Sequence, residues 1–149
     1  FDDRDQMPRL GRFLFGSWLK TKSHKPLVVC DDHVEGSASY IDYKGAGHKR
    51  TLLLDKHKLV VTDEVVGFRN KAVLRWRLTE GLWEFQILPN GVKVTQGDMV
   101  IIVTSDIGLV RAGFSQGWES LYYAEKKEIQ VLECEVNLYG TLQTEVRWQ

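Results

Sequence analysis

The chain has 149 residues, enough for one domain with a buried core, and 43% of them are hydrophobic, as in globular rather than disordered proteins. Twenty basic residues offset twenty acidic ones, so no global field recruits nucleic acid or an anionic membrane. The longest apolar run, Met99 to Val103, suits a strand and is far too short to span a bilayer.

Short apolar or alternating runs separated by turn residues dominate the chain. Lys44-Gly45-Ala46-Gly47 is the first turn signal. Thr51–Leu54 and Leu59–Thr62 are expected to form a hairpin through Asp55-Lys56-His57-Lys58. Leu74, Trp76 and Leu78 alternate with Val73, Arg75 and Arg77, giving one inward and one wet face. A second hairpin joins Trp83–Leu88 to Val92–Thr95, with Asn90-Gly91 expected to supply positive φ angles. Gln96-Gly97-Asp98 marks the turn before Met99–Val103. Leu132, Cys134, Val136 and Leu138 alternate with polar residues, and Leu142, Thr144, Val146 and Trp148 repeat the pattern. Leu52–Leu54 and Met99–Val103 read as central strands packed on both faces. No stretch shows a sustained helical period. About a dozen short strands exceed what one flat sheet holds, so the expected fold is all-β, a two-sheet antiparallel β-sandwich occupying residues 1–149 as one domain. The chain starts at Phe1 without a signal peptide and is read as a piece of a longer protein.

Self-contained catalysis is not legible. Cys30 and Cys134 each sit in an apolar strand pattern, which favours buried thiols; a long-range disulfide between them stays open. His24, His33, His48 and His57 are scattered without metal-ligand spacing, and His33 beside Asp31-Asp32 reads better as a solvated strand end than as a cation site. Ser37 and Ser120 lie outside any nucleophile elbow, and Gly45-Ala46-Gly47 with Lys49 lacks the spacing of a phosphate loop. Lys44, His48, Lys49, Arg50, Lys56, His57 and Lys58 form a local basic cluster, either an edge guarded against aggregation or a contact for an anionic polymer. Trp18, Trp118, Tyr122 and Tyr123 fall near loops or strand ends, where flat rings can stack on sugars; Trp76, Trp83 and Trp148 fit the core.

A series of stretches carries a family resemblance. Asp5-Gln6-Met7 followed by Gly11-Arg12-Phe13-Leu14-Phe15-Gly16 resembles the opening of the C-terminal β domain of heparinase II/III-like proteins. His48-Lys49-Arg50-Thr51-Leu52-Leu53-Leu54 with Leu59-Val60-Val61-Thr62-Asp63 resembles that domain's central hairpin. Leu74-Arg75-Trp76-Arg77-Leu78, Trp118-Glu119-Ser120-Leu121-Tyr122-Tyr123 and Leu142-Gln143-Thr144-Glu145-Val146 are similar to its later strands. Order and spacing agree over nearly the whole chain.

The resemblance implies the C-terminal sandwich of a bacterial polysaccharide lyase. Its partners would be an upstream α/α toroid of the same protein and an acidic, uronate-containing polysaccharide, in the periplasm or outside the cell. The family's Tyr and His acid–base pair and its metal ligands match positions before Phe1, so no catalytic residue, metal ligand or cofactor is assigned here. Arg77 stands where many members carry a His. The substrate-wall residues expected are Gln6, Arg12, His48, Lys49, Arg50, Trp118 and Tyr122. The alternative reading is a non-catalytic carbohydrate-binding sandwich, and a third is a structural interaction domain. An upstream helical toroid would favour the lyase, and a linker rich in Pro, Ser or Thr the binding module.

Overall fold

A computed structural model describes all 149 residues and contains eleven strands and no helix: β1 (Lys20–Val29), β2 (Val34–Ile41), β3 (Gly47–Leu54), β4 (Lys58–Val66), β5 (Ala72–Arg77), β6 (Glu84–Leu88), β7 (Gly91–Gln96), β8 (Met99–Ser105), β9 (Arg111–Glu119), β10 (Lys127–Val136) and β11 (Gly140–Arg147). Eight strands form one antiparallel sheet in the order β1-β2-β3-β4-β11-β8-β7-β6, and three form a second in the order β5-β10-β9. The all-β sandwich is as expected, and both expected hairpins, β3–β4 and β6–β7, are present.

Period-two alternation explains how the sheets meet. Val65, Val92, Val94, Ile101, Val103 and Leu142 of the large sheet are buried against Ala72, Leu132, Cys134 and Val136 of the small one. Trp76 on β5 donates its indole N–H to Thr144 Oγ1 on β11 at 2.9 Å, so a buried hydroxyl is satisfied across the two layers. Burying side chains of this size stabilises by roughly 1.5–3 kcal/mol each.

The small sheet is narrower than the large one, and this corrects several expectations. Leu53 and Leu54 are exposed rather than packed on both faces: Leu53 lies on the uncovered outer side of β3 with Lys49, and Leu54 is the last residue of the strand, on the face of His48 and Arg50. Within Met99–Val103 only Ile101 and Val103 are fully buried. Leu138 lies in the β10–β11 turn and is exposed, and Trp148 falls just past β11, half-buried and outside the core. All ten residues of β1 are exposed, and its pairing with β2 is broken by two irregularities around Lys25, which kink a free edge. Cys30, just past β1, is exposed, whereas Cys134 is buried and its thiol is pushed up to about 12 by burial; both are free thiols.

The β6–β7 turn also differs from expectation. Leu88 pairs with Gly91 across Pro89-Asn90, and neither Asn90 nor Gly91 has positive φ. Proline presets the turn instead. Gly91 is needed for a close approach, since a Cβ there would lie 2.0 Å from the Val103 carbonyl oxygen.

Candidate functional site

A polar cavity of about 370 Å³ opens where the small sheet stops covering the large one. Tyr40 from β2, His48 and Arg50 from β3, and Asp63 from β4 line it, with Arg4 and Gln6 from the N-terminal segment. Strand register builds this group. Tyr40 lies opposite His48, Arg50 lies opposite Asp63, and His48 and Arg50, two residues apart, share one face.

Asp63 is the hub. Its side chain is 1% exposed, and it accepts hydrogen bonds from His48 Nε2 at 2.6 Å and from Arg50 Nε and Nη2 at 2.7 and 3.0 Å. Burial alone would raise its carboxyl, but these bonds and the Arg50 charge outweigh burial and hold it below the ordinary carboxylate range. An ionised carboxylate only accepts, so His48 carries its proton on Nε2 in this contact and turns Nδ1 away from Asp63. Arg50 is held a second time, its guanidinium 5.2 Å from the Trp76 ring centroid. Its Nη1 makes no hydrogen bond within the chain.

Tyr40 is the second polar group of the wall. Its ring meets the His48 ring edge-on at 5.4 Å, and its hydroxyl accepts a 2.9 Å hydrogen bond from Gln6 Nε2. Burial raises its phenol above the ordinary value, so it stays protonated at neutral pH with an O–H to donate.

Residues 1–6 are bolted on as a strap. The Asp2 carboxylate accepts the backbone N–H groups of Arg69, Asn70 and Lys71 at 3.0, 2.7 and 3.0 Å, and Arg4 Nη1 at 2.6 Å. Arg4 Nη2 reaches Asp42 at 2.6 Å, while the other Asp42 oxygen accepts the Lys44 and Ala46 N–H groups. Phe1 stacks on Phe68 at 5.8 Å. These contacts place Gln6 over Tyr40.

The expected wall residues therefore divide. Gln6, His48 and Arg50 line this cavity. Lys49 lies on the other face of β3, where it pairs with Glu64 at 2.6 Å. Arg12 lies in the exposed N-terminal segment over the Phe13 ring, at 5.4 Å. Trp118 and Tyr122 lie near the end of the small sheet away from Ala72–Arg75, which line the cavity. The basic cluster is not one patch. Lys44 precedes β3 and Lys56 and His57 follow it, about 25 Å apart at strand rise, while His48 and Arg50 face opposite to Lys49. Arg4, Tyr40 and Asp63 had no individual signal in the motif reading. Asp63 was traceable by parity, since it stands between Val61 and Val65 at an inward position.

A larger cleft of about 580 Å³ lies at the β6–β7 and β8–β9 turns. Its carboxylate, Asp106, already accepts the Thr141 N–H at 2.8 Å, and no comparable constellation faces it. Nowhere do three His, Cys, Asp or Glu side chains converge as metal ligands.

No known family's sequence pattern matches the chain, and no curated protein matches it in sequence. Solved structures do match in fold. The heparan sulfate lyase HepC from Pedobacter heparinus superposes with a TM-score of 0.67 at 17% identity over 86% of this chain. The heparinase III BT4657 gene product gives 0.65 at 14% identity over 86%, and its form with methylated lysines gives 0.70 at 16%. The chain spans 21% of the length of each of these structures. It shares the fold of a heparinase-like β domain.

Proposed function

We propose that this chain is the C-terminal β domain of a bacterial polysaccharide lyase acting on uronate-containing chains by β-elimination, supporting an α/α toroid and forming one wall of the substrate cleft. The observation that carries the reading is the His48–Arg50–Asp63 cluster beside the Tyr40 hydroxyl, on a fold shared with a heparan sulfate lyase and a heparinase III. Acidic polysaccharide is the partner this cavity suits, and a periplasmic or secreted location follows from such a substrate. No helix is long and apolar enough to cross a membrane.

The chemistry assigns limited work to these residues. β-Elimination removes the proton beside the uronate carboxyl group and expels the oxygen at the β-position, so negative charge builds on the carboxylate in the transition state. Donors fixed in advance stabilise that charge without reorganising. Arg50 offers Nη1, His48 offers its Nδ1 side when protonated, and Tyr40 offers its hydroxyl. Asp63 and Trp76 keep Arg50 from swinging away. The proton-abstracting base belongs to the toroid in this reading.

The test is an elimination assay on the protein that carries this domain, following the ultraviolet absorbance of the unsaturated uronate product across a panel of uronic-acid polysaccharides. Activity that falls at least about tenfold in kcat/KM with Arg50→Gln supports the reading. Undiminished elimination in that variant removes the wall role, and absence of elimination on every polymer removes the lyase. The alternative, a non-catalytic carbohydrate-binding module, draws on the exposed rings of Trp118, Tyr122 and Tyr123, and predicts glycan binding without product.

A further inference from the structure

The donors of the Tyr40–His48–Arg50 cavity are not fixed in the same way. Arg50 and His48 carry their N–H groups in rigid planes, and Asp63 holds both planes. A phenol differs, because its ring can be held while its O–H still turns. The Tyr40 ring is held, with the Phe1 ring 6.4 Å away at 59° and the His48 ring edge-on at 5.4 Å. What the O–H does is then set by the partner of its oxygen, and that partner is Gln6.

The direction of this hydrogen bond decides how many donors the wall offers. Gln6 Nε2 donates to the Tyr40 oxygen at 2.9 Å, and the Tyr40 O–H donates to no group of the chain. Its proton is therefore left for an acceptor bound in the cavity that Tyr40 lines with His48 and Arg50. A Gln6 amide turned the other way would accept that proton and remove a donor from the wall. Anchoring the strap is a weaker account of the contact. Asp2 and Arg4 already tie the strap down, and a hydrogen bond between exposed groups adds little to stability.

We infer that Gln6 is a positioning residue: by donating to the Tyr40 oxygen, it leaves the Tyr40 O–H to donate to an acceptor bound beside His48 and Arg50. Its effect on elimination rests on the wall role proposed above. The orientation itself belongs to this chain and is read without substrate.

The first measurement is the titration of Tyr40 in the 149-residue chain, followed by NMR of its ring carbon Cζ. Burial raises this phenol, and donation from Gln6 works against burial by favouring the phenolate. Gln6→Leu should therefore raise the Tyr40 pKa further and leave the urea midpoint unchanged. A fall overturns the inference, because the amide is then the acceptor; an unchanged value overturns it too. The second measurement is a double-mutant cycle in the elimination assay, on the protein that carries this domain. Gln6→Leu should lower kcat/KM at least about threefold with Tyr40 present and by less than about 1.5-fold in a Tyr40→Phe background. Equal losses in the two backgrounds overturn the inference, since Gln6 then acts without the Tyr40 hydroxyl. If the unaltered protein eliminates no polymer, the lyase reading falls, and the Tyr40 titration alone decides the orientation.

Discussion

Two polar groups buried on inward faces of this sandwich are treated in opposite ways. Asp63, on the large sheet, is fully engaged by His48 and Arg50. Gln130, on the small sheet, keeps an oxygen with no donor. The first arrangement is complete within the chain and holds its donors in fixed positions. The second is left unsatisfied within the chain. The contrast separates a preorganised wall from an unsatisfied buried acceptor, and the two should respond to mutation with opposite signs.

The largest expected effect is at Asp63. Asp63→Ala leaves Arg50 and His48 facing a cavity without their counter-charge, and should destabilise by about 3–5 kcal/mol in urea unfolding. Its pH dependence follows the same logic. The folded carboxyl lies below its ordinary value of 3.8, so its contribution is present above that pH and is lost as pH falls through the lowered folded value. Asp2 and Asp42 are lowered in the same direction, so acid should remove all three contributions over that window. A urea midpoint that holds constant from about pH 6 down to about pH 2 would contradict this assignment.

Next comes Asp2, which holds the strap. Asp2→Ala strands three backbone N–H groups near solvent, and a cost of about 1–2 kcal/mol is expected. Proteolysis should then cut residues 1–19 faster while the β-sandwich core stays intact, a result readable by mass spectrometry. Gln130→Leu sharpens the comparison from the other side. Removing an unsatisfied buried oxygen should leave stability unchanged or raise it by about 1 kcal/mol, and a marked loss would show that the amide is already paired. The smallest effect belongs to Lys49→Ala. Lys49 pairs with Glu64 on the exposed face of the strand that carries Arg50, and its loss should cost under about 0.5 kcal/mol.

Much of the fold was legible because alternation is a local property. The pattern Leu132, Cys134, Val136 identified β10, and Leu142, Thr144 identified β11, with the inward parity the structure shows. Leu52–Leu54 misled because a continuous apolar run does not say whether a second layer covers it. Asn90-Gly91 misled because Pro89 presets a turn in which Gly91 serves close approach rather than positive φ. Motif reading picked out His48 and Arg50 as a pair on one strand, but Tyr40 and Asp63 join them only through the β2–β3 and β3–β4 registers. Arg4 and Gln6 join only through the strap.

The amino-acid sequence alone determined the strand class, the hairpins and the faces of β10 and β11, since each depends on neighbours within a few residues. Tertiary structure decided which strands the narrow sheet covers, which face of β3 is buried, and that Gln130 lies beyond the apolar core. Those outcomes depend on register and layer width, which arise from long-range pairing between segments that local pattern does not connect.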